Sequence, residues 1–268
     1  NPCLKTVKTV VCMDIIKPSS SPASAMPAEL DRHDSLVSLL QEAFATHADR
    51  VALVSLGAEL TYGELDKQST AWAAWLQSLD LPRAARVAIM LPNMLASPVT
   101  LVGTLKAGCV AVNVNPLYTA RELQGQLRDC RPDVIVLFEA FAATLQQVPA
   151  TDRPPHVVVA TVGDLMPTIK GLLVNAVVRY VQRKVPAWEL QGTERLSRVL
   201  QRGAELGFEA PAIAPTDLAF LQYTGGTTGV SKGAMLTHGN LVSNTIQMLQ
   251  MNGKYIQEGK EIVLTALP

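Results

Sequence analysis

Toward the end of the sequence, Tyr223, Thr224, Gly225, Gly226, Thr227, Thr228, Gly229, Val230, Ser231, Lys232 and Gly233 follow one another between two apolar segments. Glycines let a backbone reach φ > 0 and turn successive N–H groups toward one anion. The threonine and serine hydroxyls add donors, and Lys232 adds a compact positive charge. Residue types in this order suit the grip of a polyphosphate. A flexible Gly/Ser/Thr linker is the plain alternative. Linkers, however, seldom follow a run as apolar as Leu218-Ala219-Phe220-Leu221 or close on a lone lysine.

Three other readings of the loop meet specific obstacles. Walker A needs Gly just before its lysine and Ser or Thr just after, whereas Ser231 precedes Lys232 and Gly233 follows it. The dinucleotide pattern G-x-G-x-x-G is broken because Gly225 and Gly226 are adjacent, far from the first βα turn. Gly229-Val230-Ser231-Lys232-Gly233 does satisfy the G-x-S-x-G of a serine-hydrolase elbow. Yet Tyr223 to Thr228 separate it from the strand end, and His238, the one later histidine, has no acid between it and Ser231.

A loop of this kind must be held by a strand ahead and a helix behind. Asp217 to Tyr223 reads as the strand, and Thr237 caps a helix whose Val242, Ile246 and Leu249 share a face. Upstream, strands and helices alternate. Leu36, Leu39, Leu40 and Phe44 make a helical stripe after Asp34 or Ser35, and Val51 to Leu56 a strand. Thr61 to Glu64 is a capping box leading into Leu65, Trp72, Leu76 and Leu79, so Trp72 and Trp75 are expected in the core. Then come strands at 86–91, 110–114, 134–138 and 156–161, with helices at 99–107, 119–129 and 140–147. Nearly all-apolar strands separated by helices predict an α/β fold with mixed, largely parallel sheets covered by helices.

Composition bounds the rest. The 268 residues are 48% hydrophobic and 17% charged with zero formal net charge, a folded chain whose global charge does not point to nucleic acid. Cys3, Cys12, Cys109 and Cys130 contain no C-x-x-C pair and share no metal-ligand spacing with His33, His47, His156 or His238, so a reduced, cytoplasmic setting without a metal site is expected. Residues 1–30 lack periodicity and are expected to be a disordered leader or a remnant foreign to the natural chain, with 31–268 one incomplete domain. Ile262 to Leu267 reads as a core strand inside a longer protein. Between 167 and 203, seven basic residues meet two acidic ones, and Ile169, Leu173, Val177 and Val181 share a helical face. That face could lie on an anionic membrane or pack on the domain like an ordinary surface helix.

The stretch Tyr223 to Gly233 resembles the signature of the adenylate-forming superfamily, which comprises acyl-CoA synthetases, adenylation domains of peptide synthetases and luciferases. Leu91-Pro92-Asn93, Val112 to Thr119, Arg121-Glu122-Leu123, Asp217 to Tyr223 and Gly233 to His238 together resemble the N-terminal half of bacterial long-chain fatty acid–CoA ligases. The doubled Gly225-Gly226 is typical of that group, while Ser231 stands where proline or alanine is frequent. The resemblance implies part of a large N-terminal domain, with ATP, Mg²⁺ and CoA as reactants beside a fatty acid, and with residues 223–233 holding the ATP phosphates. It also implies that the catalytic and metal-binding residues lie in later motifs, so no complete catalytic set is expected in these 268 residues and no activity from them alone. A peripheral position on the inner face of the membrane through 167–203 is a further expectation. The alternatives are another acyl- or aryl-CoA ligase or adenylation enzyme, and a non-catalytic nucleotide-binding module.

Overall fold

The structure is a computed structural model, and it describes residues 9–12, 33–182, 184–224, 232–252, 255 and 261–265. Two sheets organise these residues. The larger has seven strands: β4 (Arg86–Met90), β5 (Val110–Asn113), β6 (Val134–Phe138), β7 (His156–Ala160), β8 (Thr193–Arg195), β9 (Leu218–Thr224) and β10 (Lys232–Thr237). They lie in the order β10-β9-β5-β4-β6-β7-β8, parallel except for the antiparallel β9–β10 pair. The smaller sheet is antiparallel and joins β1 (Thr9–Cys12), β2 (Val51–Ser55), β3 (Ala58–Thr61) and β11 (Ile262–Thr265). Thr9–Cys12 are therefore a strand, which corrects the expectation of disorder for that part of 1–30; the backbone pairs with β2 and β11 on its two sides.

The helices are α1 (Leu36–Thr46), α2 (Tyr62–Gln77), α3 (Ala96–Lys106), α4 (Ala120–Cys130), α5 (Ala142–Gln146), α6 (Thr168–Ala176), α7 (Leu196–Glu205) and α8 (His238–Asn252). Strand side chains alternate between two apolar layers, as the period of two demands. Val87, Ile89, Val134 and Val136 meet α2, α3 and α7 on one face. Ala88, Met90, Ile135 and Leu137 meet Leu123 and Leu127 of α4 and Leu145 of α5 on the other. Trp72 and Trp75 are fully buried, as their spacing predicts.

Helix α2 is the middle of its layer and touches α3 and α7 through glycines. A Cβ on Gly103 would sit 2.3 Å from the Ser69 carbonyl oxygen, and one on Gly203 only 1.9 Å from that of Ala71. Two polar groups in this layer are matched, while the buried Trp75 Nε1 has no hydrogen-bond partner among the described residues. Trp72 Nε1 donates to Thr104 Oγ1 at 3.1 Å, and the buried Lys106 ammonium donates to Asp66 Oδ1, Asp66 O and Thr70 Oγ1 at 2.5, 3.0 and 2.9 Å. Burial lowers the Lys106 pKa, and Asp66 opposes that shift.

β3 and α7 are among the elements that escaped sequence reading. β3 follows β2 through a tight turn with Leu56 and Gly57 at positive φ, too short to show alternation. α7 lies inside the basic segment, where Leu196, Val199 and Leu200 form the buried stripe between arginines. Because no atom can be added at the α2 contacts, Gly103→Ala or Gly203→Ala should lower the unfolding free energy by about 1–3 kcal/mol in urea titrations. Gly125→Ala, in α4 with open space around it, should be neutral or gain up to about 1 kcal/mol.

Candidate functional site

From β4 the chain passes through α3 to β5 on one side, then through α4 back across to β6 on the other. Helices leave in opposite directions at this point, so a crevice opens beyond the carboxyl ends of β4 and β5. In α/β sheets this is where ligands are held. A cavity of about 560 Å³ occupies it. Its walls come from the segment after β4 (Leu91, Asn93), the end of β5 and the turn beyond it (Asn113 to Pro116, Tyr118), and the end of β9 (Gln222, Tyr223).

Each wall is fixed locally. Asn113 Nδ2 donates to Gln222 Oε1 at 2.8 Å, joining the ends of neighbouring strands β5 and β9, and Gln126 Nε2 from α4 donates to Asn113 O at 2.9 Å. Asn115 Oδ1 accepts from Leu117 N at 3.0 Å, turning the chain toward the capping box of Thr119 and Glu122 that starts α4. Asn93 Nδ2 donates to Thr265 O in β11 at 3.2 Å. The Tyr223 hydroxyl donates to Asp129 Oδ2, and partial burial together with that bond pushes the phenol pKa well above its ordinary value.

Beyond Tyr223, β9 and β10 close into a hairpin. Thr224 and Lys232 are cross-strand partners, both exposed, at its loop end. Gly233 pairs with Tyr223, and a Cβ there would lie 3.0 Å from the tyrosine ring, so the ring lies flat across the glycine. The two ends of the glycine-rich loop thus stand side by side next to the cavity wall. Gly225, Gly226, Thr227, Thr228, Gly229, Val230 and Ser231 lie outside the described residues. Among the described residues no group of three His, Cys, Asp or Glu side chains could hold a metal ion.

Stretches around Leu91 and Asn113, and around Tyr223 more than a hundred residues later, converge on this one crevice. They are the stretches that carry the sequence resemblance, and the profile of the AMP-binding enzyme family matches residues 40–268. The chain belongs to that family. It is 46% identical over 246 residues to a long-chain-fatty-acid–CoA ligase of Escherichia coli O157:H7, covering 91% of this chain and 44% of the relative. It is 34% identical over 239 residues to the ligase of the same name from Bacillus subtilis (strain 168), covering 87% and 42%. The chain thus spans less than half the length of these relatives.

Similar folds include an anthranilate CoA ligase in complex with anthranoyl-AMP, with TM-score 0.63, 19% identity and coverage of 80% of this chain and 37% of that one. A long-chain-fatty-acid-CoA ligase from Archaeoglobus fulgidus matches with TM-score 0.63, 22% identity and coverage of 82% and 40%. The α/β fold with mixed, largely parallel sheets and helical cover is therefore that of adenylate-forming enzymes.

The polar floor of the crevice was visible in sequence only as Asn113 and Gln222 interrupting apolar strands. The partners Gln126 and Asp129 had no sequence signal, being ordinary polar positions of a helix. His238 starts α8 and is 1% exposed, and its Nδ1 lacks a hydrogen-bond partner among the described residues. Burial pushes its pKa down against the opposing Asp217 carboxylate. The unfolded chain protonates this imidazole near pH 6.5 while the folded one resists. The stability contributed is therefore present above about pH 6.5 and is lost as pH falls below it. His238→Phe should flatten the decline in urea midpoint between about pH 6.5 and 5.

Proposed function

We propose that the protein containing this chain is an ATP-dependent long-chain fatty acid–CoA ligase. In this reading, a fatty acid carboxylate displaces pyrophosphate from ATP, and the CoA thiol then displaces AMP from the acyl-adenylate. The observation that carries the proposal is 46% identity to a ligase of that name over 91% of the chain, with Leu91, Asn113 and Tyr223, from stretches that carry the sequence resemblance, lining one crevice.

The roles of the chain's own residues follow from placement and chemistry. Lys232 and Thr224, side by side at the hairpin's loop end, would bracket the triphosphate, with Tyr223, Gly225, Gly226, Thr227, Thr228, Gly229, Val230, Ser231 and Gly233 completing the cradle. Backbone N–H groups, hydroxyls and the ammonium would neutralise charge that grows on departing pyrophosphate, which is where preorganised donors lower a barrier most. No covalent step through Ser231 is required. The exposed Lys232 and Thr224 fit a phosphate, which approaches from solvent. Mg²⁺, which supplies charge neutralisation when it accompanies ATP, is assigned no ligand among the described residues.

The crevice, with apolar Leu91, Leu101 and Val114 beside the Asn113–Gln222 pair, would form part of the wall around the reacting groups. The reading includes a cytoplasmic location and peripheral contact with anionic membrane through 167–203, supported by that segment's excess of five positive charges. No helix among the described residues is long and apolar enough to cross a membrane.

In the full-length protein, Lys232→Ala should slow fatty-acid-dependent ATP–pyrophosphate exchange by about 10²-fold, as loss of one transition-state donor does, and Thr227→Ala should slow it by about tenfold. Unchanged exchange in both variants would contradict the assignment.

A further inference from the structure

Surface helices ordinarily turn their apolar stripe inward. Helix α6 and the wider turn that extends it, Val177–Val181, do the reverse. The inward side is built from small and polar residues. A Cβ on Gly171 would lie 2.5 Å from the Gly163 carbonyl oxygen, and one on Gly163 would lie 2.4 Å from that of Gly171, so backbone rests on backbone. One turn on, Asn175 Nδ2 donates to Thr161 Oγ1 at 3.0 Å and its Oδ1 accepts from Gly163 N at 2.8 Å. A further turn on, Arg179 Nη2 donates to Glu139 Oε2 at 2.9 Å, on a glutamate side chain that is 3% exposed, and Arg195 stands 3.6 Å from the same oxygen. Lys170 Nζ donates to Gly57 O at 2.6 Å. Only Val174 and Val178 add apolar contact on this side.

The outer side carries Ile169, Leu172, Leu173, Val177, Tyr180 and Val181, 42–77% exposed. These are six of the fifteen exposed large apolar side chains among the described residues, and they fall within thirteen positions. Of the two readings of this helix, packing of its apolar face on the domain is overturned. Positions 169, 173, 177 and 181 do share a face, and the Gly171–Asn175–Arg179 row points it outward.

We infer that this helix docks the protein on an anionic lipid surface, lying in the headgroup plane with the six apolar side chains toward the acyl chains. The inference deepens the membrane contact proposed above and rests on it, assigning the contact to one face of one helix. Charge complementarity selects the occupant: seven basic residues against two acidic ones between 167 and 203, with Arg183 and Lys184 directly after the helix. The geometry agrees. Fourteen residues span about 21 Å, too short to cross a bilayer and suited to lying along its surface.

The test is flotation of the full-length protein with vesicles of phosphatidylcholine alone or mixed with phosphatidylglycerol. The wild type should float with the mixed vesicles and roughly tenfold less with neutral ones. Combined Ile169→Ser, Leu172→Ser, Leu173→Ser and Tyr180→Ser should reduce binding to mixed vesicles roughly tenfold or more, with unchanged ATP–pyrophosphate exchange, while Leu206→Ser, exposed elsewhere, should not. As a second readout on an otherwise intact helix, Tyr180→Trp should add emission that brominated phosphatidylglycerol quenches. Flotation that survives the four serines but is lost with Lys170→Glu and Lys184→Glu would overturn the helix-face assignment and leave the membrane contact standing. Absence of wild-type flotation would sink both. A dimer dissolved by the four serines, without vesicle binding, would assign the face to a second copy instead.

Discussion

The site depends on a reversal of direction at one strand. β4 is central, β5 lies on one side and β6 on the other, so α3 and α4 must cover opposite faces and cannot close the gap between their starting points. Backbone beyond β4 and β5 is left to line that gap. Asn113 and Gln222 then tie β5 to β9 at the gap's edge, and the β9–β10 hairpin brings Thr224 and Lys232 together beside it.

Most of that frame could be read from residue order. Strands from Arg86 to Ala160 are continuous apolar runs because both faces are covered, and the capping boxes at Thr61 and Thr119 mark the helices that follow them. What could not be read has a common physical origin, since it depends on contacts between residues far apart in sequence. β10 is a strand only because β9 pairs with it, and its Ala234 and Met235 remain exposed, so no alternation announces it. The strand at Thr9–Cys12 likewise exists through its pairing with Val263 to Thr265 and Leu53 to Ser55. In the crevice, the loop's residue types were legible, but the Tyr223–Asp129 and Gln126–Asn113 bonds that brace it join helix α4 to strands reached from different parts of the chain.

Helix α6 shows the limit of periodicity in another way. A helical stripe says which side chains share a face and not which way the face looks. Direction is set by the partner surface. Here that surface offers a bare Gly163, the Thr161 hydroxyl and a buried Glu139 carboxylate, which accept glycine, asparagine and arginine and leave the larger apolar side chains outside.

The placement of Lys232 is tested most directly by affinity labelling. An ATP analogue bearing an aldehyde on its terminal phosphate forms an imine with any lysine beside that phosphate, and borohydride fixes the adduct for peptide mapping. In the full-length protein the adduct is predicted on Lys232, with labelling suppressed by excess ATP. An adduct confined to other lysines, or labelling of Lys232 that ATP does not suppress, would contradict the phosphate-holding role of the loop.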